Sequence, residues 1–161
     1  MKKDFNQLPD SSLVWVYQSA KPLSQQEQKN ILAIGNDFVE SWDSHGTPIP
    51  SSIDVFKNQF VVVTADAQGV PLCGGSKDAQ MRLMQQLENQ LNISLTDRMI
   101  VVYKDNDALK TISFNEFKDL AQKGIINKNT TVYNNLVNTK GDFLTKWEVK
   151  AEDSWHKQFL N

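Results

Sequence analysis

Apolar positions along the chain fall into short runs at strand or helix period. Leu13-Val14-Trp15-Val16-Tyr17 is β-branched and aromatic on both alternating faces, which predicts a strand covered on both sides. Ser24-Gln25-Gln26-Glu27 has capping-box spacing: the serine oxygen accepts a first-turn N–H and the glutamate reaches back. Ile31, Ile34, Phe38 and Trp42 then step by three and four, predicting a helix to about Ser44. Gly46 is placed for a left-handed helix end, and Pro48 blocks continuation. Ile53 to Phe56 and Phe60 to Thr64 read as strands around a Lys57-Asn58-Gln59 turn. After a turn at Asp66 to Gly69, Val70 to Leu72 reads as a short returning strand. Ser76 is the expected N-cap of a helix from about Lys77 to Asn92, with Leu83, Met84, Leu87 and Leu91 on its apolar face. Met99 to Tyr103 reads as another strand.

The order β-α-β-β-α-β predicts an α+β fold with a ferredoxin-like core over residues 1–105. Such a sheet leaves one face open, yet Trp15, Val61 to Val63 and Ile100 to Val102 are apolar on both faces. Residues 106–161 are the expected cover, as a C-terminal α/β extension of one single domain. A second copy of the chain, in a homodimer, is the other candidate. In the extension, Lys110 to Ile112 and Thr130 to Tyr133 read as strands. Ser113-Phe114-Asn115-Glu116 repeats the capping-box spacing ahead of Phe117, Leu120 and Ala121, and Gly124 ends that helix. Ser154 is the expected N-cap of a last short helix. Trp155 and Phe159 share a face of it, expected to pack on the sheet or on the first long helix.

Composition narrows the function classes. Seventeen Lys and Arg stand against 19 Asp and Glu, a net charge of −2. That balance lacks the basic excess of a general nucleic-acid binder. The longest apolar runs fall far short of the roughly 20 residues a membrane span needs. No apolar run follows the lysines near Met1, so no secretory signal is expected. The single cysteine excludes an internal disulfide and fits a reducing compartment. The expected location is the cytoplasm.

Few residues offer chemistry. Gly69 to Ser76 invites comparison with a phosphate-binding loop, but Gly75 stands where the loop lysine belongs. A nucleotide hydrolase is therefore not expected. Cys73 lies just ahead of a helix N-terminus, whose N–H groups and dipole favour a thiolate, so it is the candidate reactive thiol. The same residue also fits a small buried apolar role. His45 at a helix end fits either a favourable dipole contact or an acid-base group. His156 is the only other histidine, and neither has metal-ligand spacing. Asp66, Asp78 and Arg98 are the charged residues nearest strand ends and helix starts.

Several stretches together resemble a small bacterial family of unknown function, often labelled "ABC transporter ATPase". They are Ser41-Trp42-Asp43-Ser44-His45-Gly46, Phe60 to Asp66, Cys73 to Asp78, Asp97-Arg98 and Ser154-Trp155. Family members read Gly-Cys-Ser-Ile-Asp where this chain has Cys73-Gly74-Gly75-Ser76-Lys77-Asp78, so Ser76 and Asp78 match while the cysteine is displaced. The transporter label has no support in the motifs, since the phosphate loop is incomplete. Residues 112–134, with Phe114-Asn115-Glu116-Phe117, Lys123-Gly124-Ile125-Ile126 and Thr130 to Tyr133, are similar to GYF-like modules, which bind peptides or partner proteins.

The reading these residues favour is a binding module for a small anionic ligand or a protein partner. Its site gathers His45, Asp66, Ser76, Asp78 and Arg98 at one end of the sheet. The competing class is an enzyme using Cys73 or His45 in thiol or acid-base chemistry. No cofactor, metal, nucleic acid or membrane is expected to take part.

Overall fold

A computed structural model describes residues 1–161 as an α+β fold with four α-helices and antiparallel sheets. In chain order the first half holds β1 (Leu13–Gln18), α1 (Gln25–Ser41), β2 (Asp43–Ser44), β3 (Thr47–Pro48), β4 (Ser51–Phe56), β5 (Phe60–Ala65) and α2 (Gly74–Leu91). The second half holds β6 (Ile100–Asp105), β7 (Ala108–Ser113), α3 (Phe114–Gln122), β8 (Thr131–Tyr133), α4 (Lys140–Lys146) and β9 (Glu148–Lys150). No helix is long and apolar enough to cross a membrane.

Local chemistry sets most boundaries. Ser24 and Glu27 form the reciprocal capping box that starts α1. Ser113 accepts the Glu116 N–H and starts α3. Tight hairpins use left-handed pairs: His45-Gly46 between β2 and β3, Lys57-Asn58 between β4 and β5, and Asn106-Asp107 between β6 and β7. Consecutive positive φ values give the type I′ twist that matches paired strands.

The strands divide into two larger sheets. One has the order β1-β5-β4, the other β7-β6-β8-β9. Alternation along β5 sends Val61, Val63 and Ala65 to one face and Phe60 and Val62 to the other. The first set joins Ile31 and Val39 of α1 and Leu83, Met84 and Leu87 of α2 in the largest core. Gly35 lets α1 approach closely, since a Cβ there would lie 2.5 Å from Ile53 Cδ1. The second set meets Val102, Tyr133, Val137, Phe143 and Trp147. Beyond that layer, Val101, Tyr103 and Val132 turn to the far face and pack on Phe117, Ala121 and Ile126. The chain thus stacks helices, sheet, sheet, then α3 and the tail.

The ferredoxin-like sheet expected from the element order does not form. All four of its strands are present, but β6 pairs with β7 and β8 instead of entering the first sheet. The Asn106-Asp107 turn hands β6 a partner next to it in sequence, and near neighbours usually pair. Val70 to Leu72 forms no strand. The first helix stops at Ser41, because Trp42 is extended and residues 43–48 fold back as a hairpin. Gly46 sits in that turn, not at a helix end.

The tail packs, though not on α1. Trp155 and Phe159 lie on a 3-10 helix over residues 155–159 and join the core beneath α3, with Phe159 in edge contact with Phe114 at 4.8 Å. Ser154 makes no cap bond there. Its Oγ lies 2.8 Å from Nδ1 of His156, which is 1% exposed and stacked on Trp155. Burial pulls the His156 pKa down from 6.5 to about 4. Folding therefore favours the neutral ring. Its stabilisation is complete above about pH 6.5 and is lost progressively as pH falls toward 4. Urea titrations at pH 7 and pH 5 should show the native chain losing roughly 2 kcal/mol through this group. His156→Asn should flatten that dependence.

Candidate functional site at the start of the second helix

The β2–β3 hairpin folds against the first turn of α2. Ser44 Oγ donates to the Pro71 carbonyl at 2.8 Å, and Trp42 Nε1 donates to the Ser76 carbonyl at 3.0 Å. The Gly46 N–H donates to Asp43 Oδ2 at 2.6 Å and holds the turn. Between hairpin and helix lies a cleft of about 340 Å³, lined by residues that include Trp42, His45, Cys73, Gly75, Ser76 and Arg82.

Cys73, not Ser76, caps α2. Its Sγ accepts the Ser76 N–H at 3.4 Å, the bond a serine or aspartate oxygen makes at other helix starts. The helix therefore begins at Gly74, three residues before the expected start, and Ser76 sits buried inside its first turn. The Ser76 hydroxyl has one proton and two acceptors within reach: the Asp43 carbonyl at 3.0 Å and Cys73 Sγ at 3.2 Å. With a neutral thiol, S–H donates to Oγ and Oγ–H donates to Asp43. With a thiolate, Oγ–H turns to the sulfur. The hydroxyl can thus serve either state, while the backbone N–H always faces the sulfur.

The Cys73 pKa is drawn down from 9.0 to about 7. The Ser76 hydroxyl contributes most and the Ser76 N–H next, and partial burial opposes them. The N–H groups of Gly74 and Gly75 make no hydrogen bond within the chain. Arg82, exposed two turns along α2, has no ion-pair partner. The cleft therefore joins a half-buried thiol, an imidazole, a guanidinium and the open Gly75 N–H, with Asp43 also on its lining and its carboxylate engaged by the Gly46 N–H.

No family model, no curated protein and no solved structure matches this chain.

The residues singled out in the sequence separate in space. His45, Cys73 and Ser76 share the cleft. Asp66 lies beyond β5, where its Oδ1 accepts the Gln68 N–H and shapes a turn. Asp78 is exposed on α2 and does not line the cleft. Arg98 lines a different cavity beside Tyr17. The arginine of the cleft is Arg82, which the sequence reading passed over. Its signal was helical spacing: Gly75, Ala79 and Arg82 fall at i, i+4 and i+7 on one face.

Proposed function

We propose that the protein works through Cys73 as a nucleophilic thiolate acting on a small substrate that carries an anionic group. The observation behind this reading is the cap itself. A cysteine at the N-terminus of an 18-residue helix holds its charge against a backbone N–H and the helix dipole. A pKa of about 7 makes roughly half the thiol ionised at neutral pH. The sulfur forms the new bond, and the leaving group departs with its electron pair. Gly75 and Arg82 supply the donors for the anionic part of the substrate. His45 is the cleft residue suited to protonate a leaving group. Simple binding of a small anion is the second reading, favoured by the same open Gly75 N–H and unpaired arginine.

Two alkylating agents that differ only in charge test the proposal. Iodoacetate and iodoacetamide both form an S–C bond and release iodide. At low ionic strength, the iodoacetate-to-iodoacetamide rate ratio at Cys73 should exceed that of N-acetylcysteine amide by about fivefold, the effect of roughly 1 kcal/mol of charge attraction. Arg82→Gln should remove the preference and leave the iodoacetamide rate unchanged. A ratio no higher than that of the free thiol would count against a substrate anion in this cleft.

A further inference from the structure

A second cavity, of about 250 Å³, opens where α2 and the start of β6 meet β1, and it shares no lining residue with the Cys73 cleft. Val16, Met81, Leu95 and Leu136 give it an apolar wall. Leu136 is 73% exposed and Met81 38%. Two of the six most exposed large apolar side chains thus line one cavity. Water-facing apolar groups clustered around a concavity mark a binding surface more than a scatter of single ones does.

Most polar groups in this cavity are already engaged. Tyr17 Oη donates to Gln80 Oε1 at 2.6 Å. Gln18 Nε2 donates to the Ile100 carbonyl at 2.8 Å, and Asn135 Nδ2 donates to Gln18 Oε1 at 2.9 Å. Thr96 Oγ1 donates to Glu88, and Asp97 Oδ1 accepts the Met99 N–H. Two lining side chains donate to no acceptor in the chain: the Arg98 guanidinium and the Trp155 indole N–H. One is a planar cation whose fork matches a carboxylate.

We propose that this cavity binds a small monocarboxylate with an apolar body, its carboxylate on Arg98 and its body against Val16, Met81, Leu95 and Leu136. Charge sets the class. Arg98 is the only cation lining the cavity, and Asp97 on the same rim disfavours a dianion such as a phosphate monoester. Hexanoate, one carboxylate on an unbranched apolar body, is the probe of choice.

Titration of the full chain with sodium hexanoate, followed by ¹H–¹⁵N spectra, tests the site. Saturable shifts are expected at the Trp155 indole N–H and the Ile100 and Leu136 amides, with a Kd of about 1 mM or below. Hexanamide, which keeps the body and loses the charge, should bind at least about tenfold more weakly, as should hexanoate to Arg98→Gln. Arg98 is exposed, so that variant should keep the melting temperature of the ligand-free chain. Asp97→Asn should tighten hexanoate binding. The proposal is overturned by no saturable shift at those three groups up to about 20 mM hexanoate. Equal binding of hexanamide, or unchanged affinity in Arg98→Gln, overturns it equally.

Discussion

A chain ended at Asp105 is expected to lose cooperative unfolding. Removing residues 106–161 strips β6 of both its neighbours, β7 and β8. It also uncovers the face of the first sheet that carries Val14, Phe60 and Val62, since Tyr133, Val137, Phe143 and Trp147 are its cover. Phe60 and Val62 are wholly buried in the full chain. A sheet with one apolar face in water and an unpaired strand beside it is an aggregation template. The fragment should show a broad thermal transition, weak near-ultraviolet dichroism and strong binding of a hydrophobic dye. A sharp transition from a monomeric fragment would contradict the layered packing.

Trp147→Ala is expected to cost about 3–5 kcal/mol, the range for a large aromatic truncated in a core. Trp147 is 5% exposed and sits where the two sheets meet. Its ring lies 4.6 Å from Phe143, 4.9 Å from Phe60 and 4.9 Å from Tyr133, between centroids. Its indole N–H donates to Asn135 Oδ1 at 3.0 Å. Truncation leaves a cavity between aromatic walls and deprives that amide oxygen of its partner. For a chain of this size the melting temperature should fall on the order of 10 °C. Trp147→Phe, which keeps most of the apolar contact, should lose less than half as much in the same denaturation experiment. Equal losses would place the stabilisation in the hydrogen bond.

Local signals were the legible ones. Ser24 with Glu27 and Ser113 with Glu116 each marked a helix start through contacts three residues apart. The two-sided apolar character of β5 also announced a second covering layer, which residues from the C-terminal third supply. Strand partnership was not legible, because β1 meets β5 across more than 40 residues and no local pattern records that pairing. The helix α4 escaped for a different reason. It is seven residues long, carries Gly141 in its first turn and buries only Lys140 and Phe143. Lys140 is buried by donating to the carbonyls of Phe5 and Leu8 at 2.9 and 2.7 Å, contacts no sequence period reveals. At the candidate site, Cys73 was legible as a thiol near a helix start but not as the cap. A sulfur is an uncommon capping acceptor, and Ser76 was the more usual type three residues on. Arg98 and Asp66 were drawn to the same site by their places at strand ends, a criterion blind to which end of which sheet they occupy.

The capped thiolate is the central claim, and the pH dependence of Cys73 alkylation measures it most directly. Cys73 is the only cysteine, so iodoacetamide uptake on the intact folded chain reports this one sulfur. The rate should rise with pH and reach half its plateau near pH 7, where the thiol ionises. Ser76→Ala removes the hydroxyl but keeps the backbone N–H, so its midpoint should move upward while the folded state persists. A native midpoint at or above about 8.5, the value of a free cysteine, would contradict the claim, as would a folded chain that does not react.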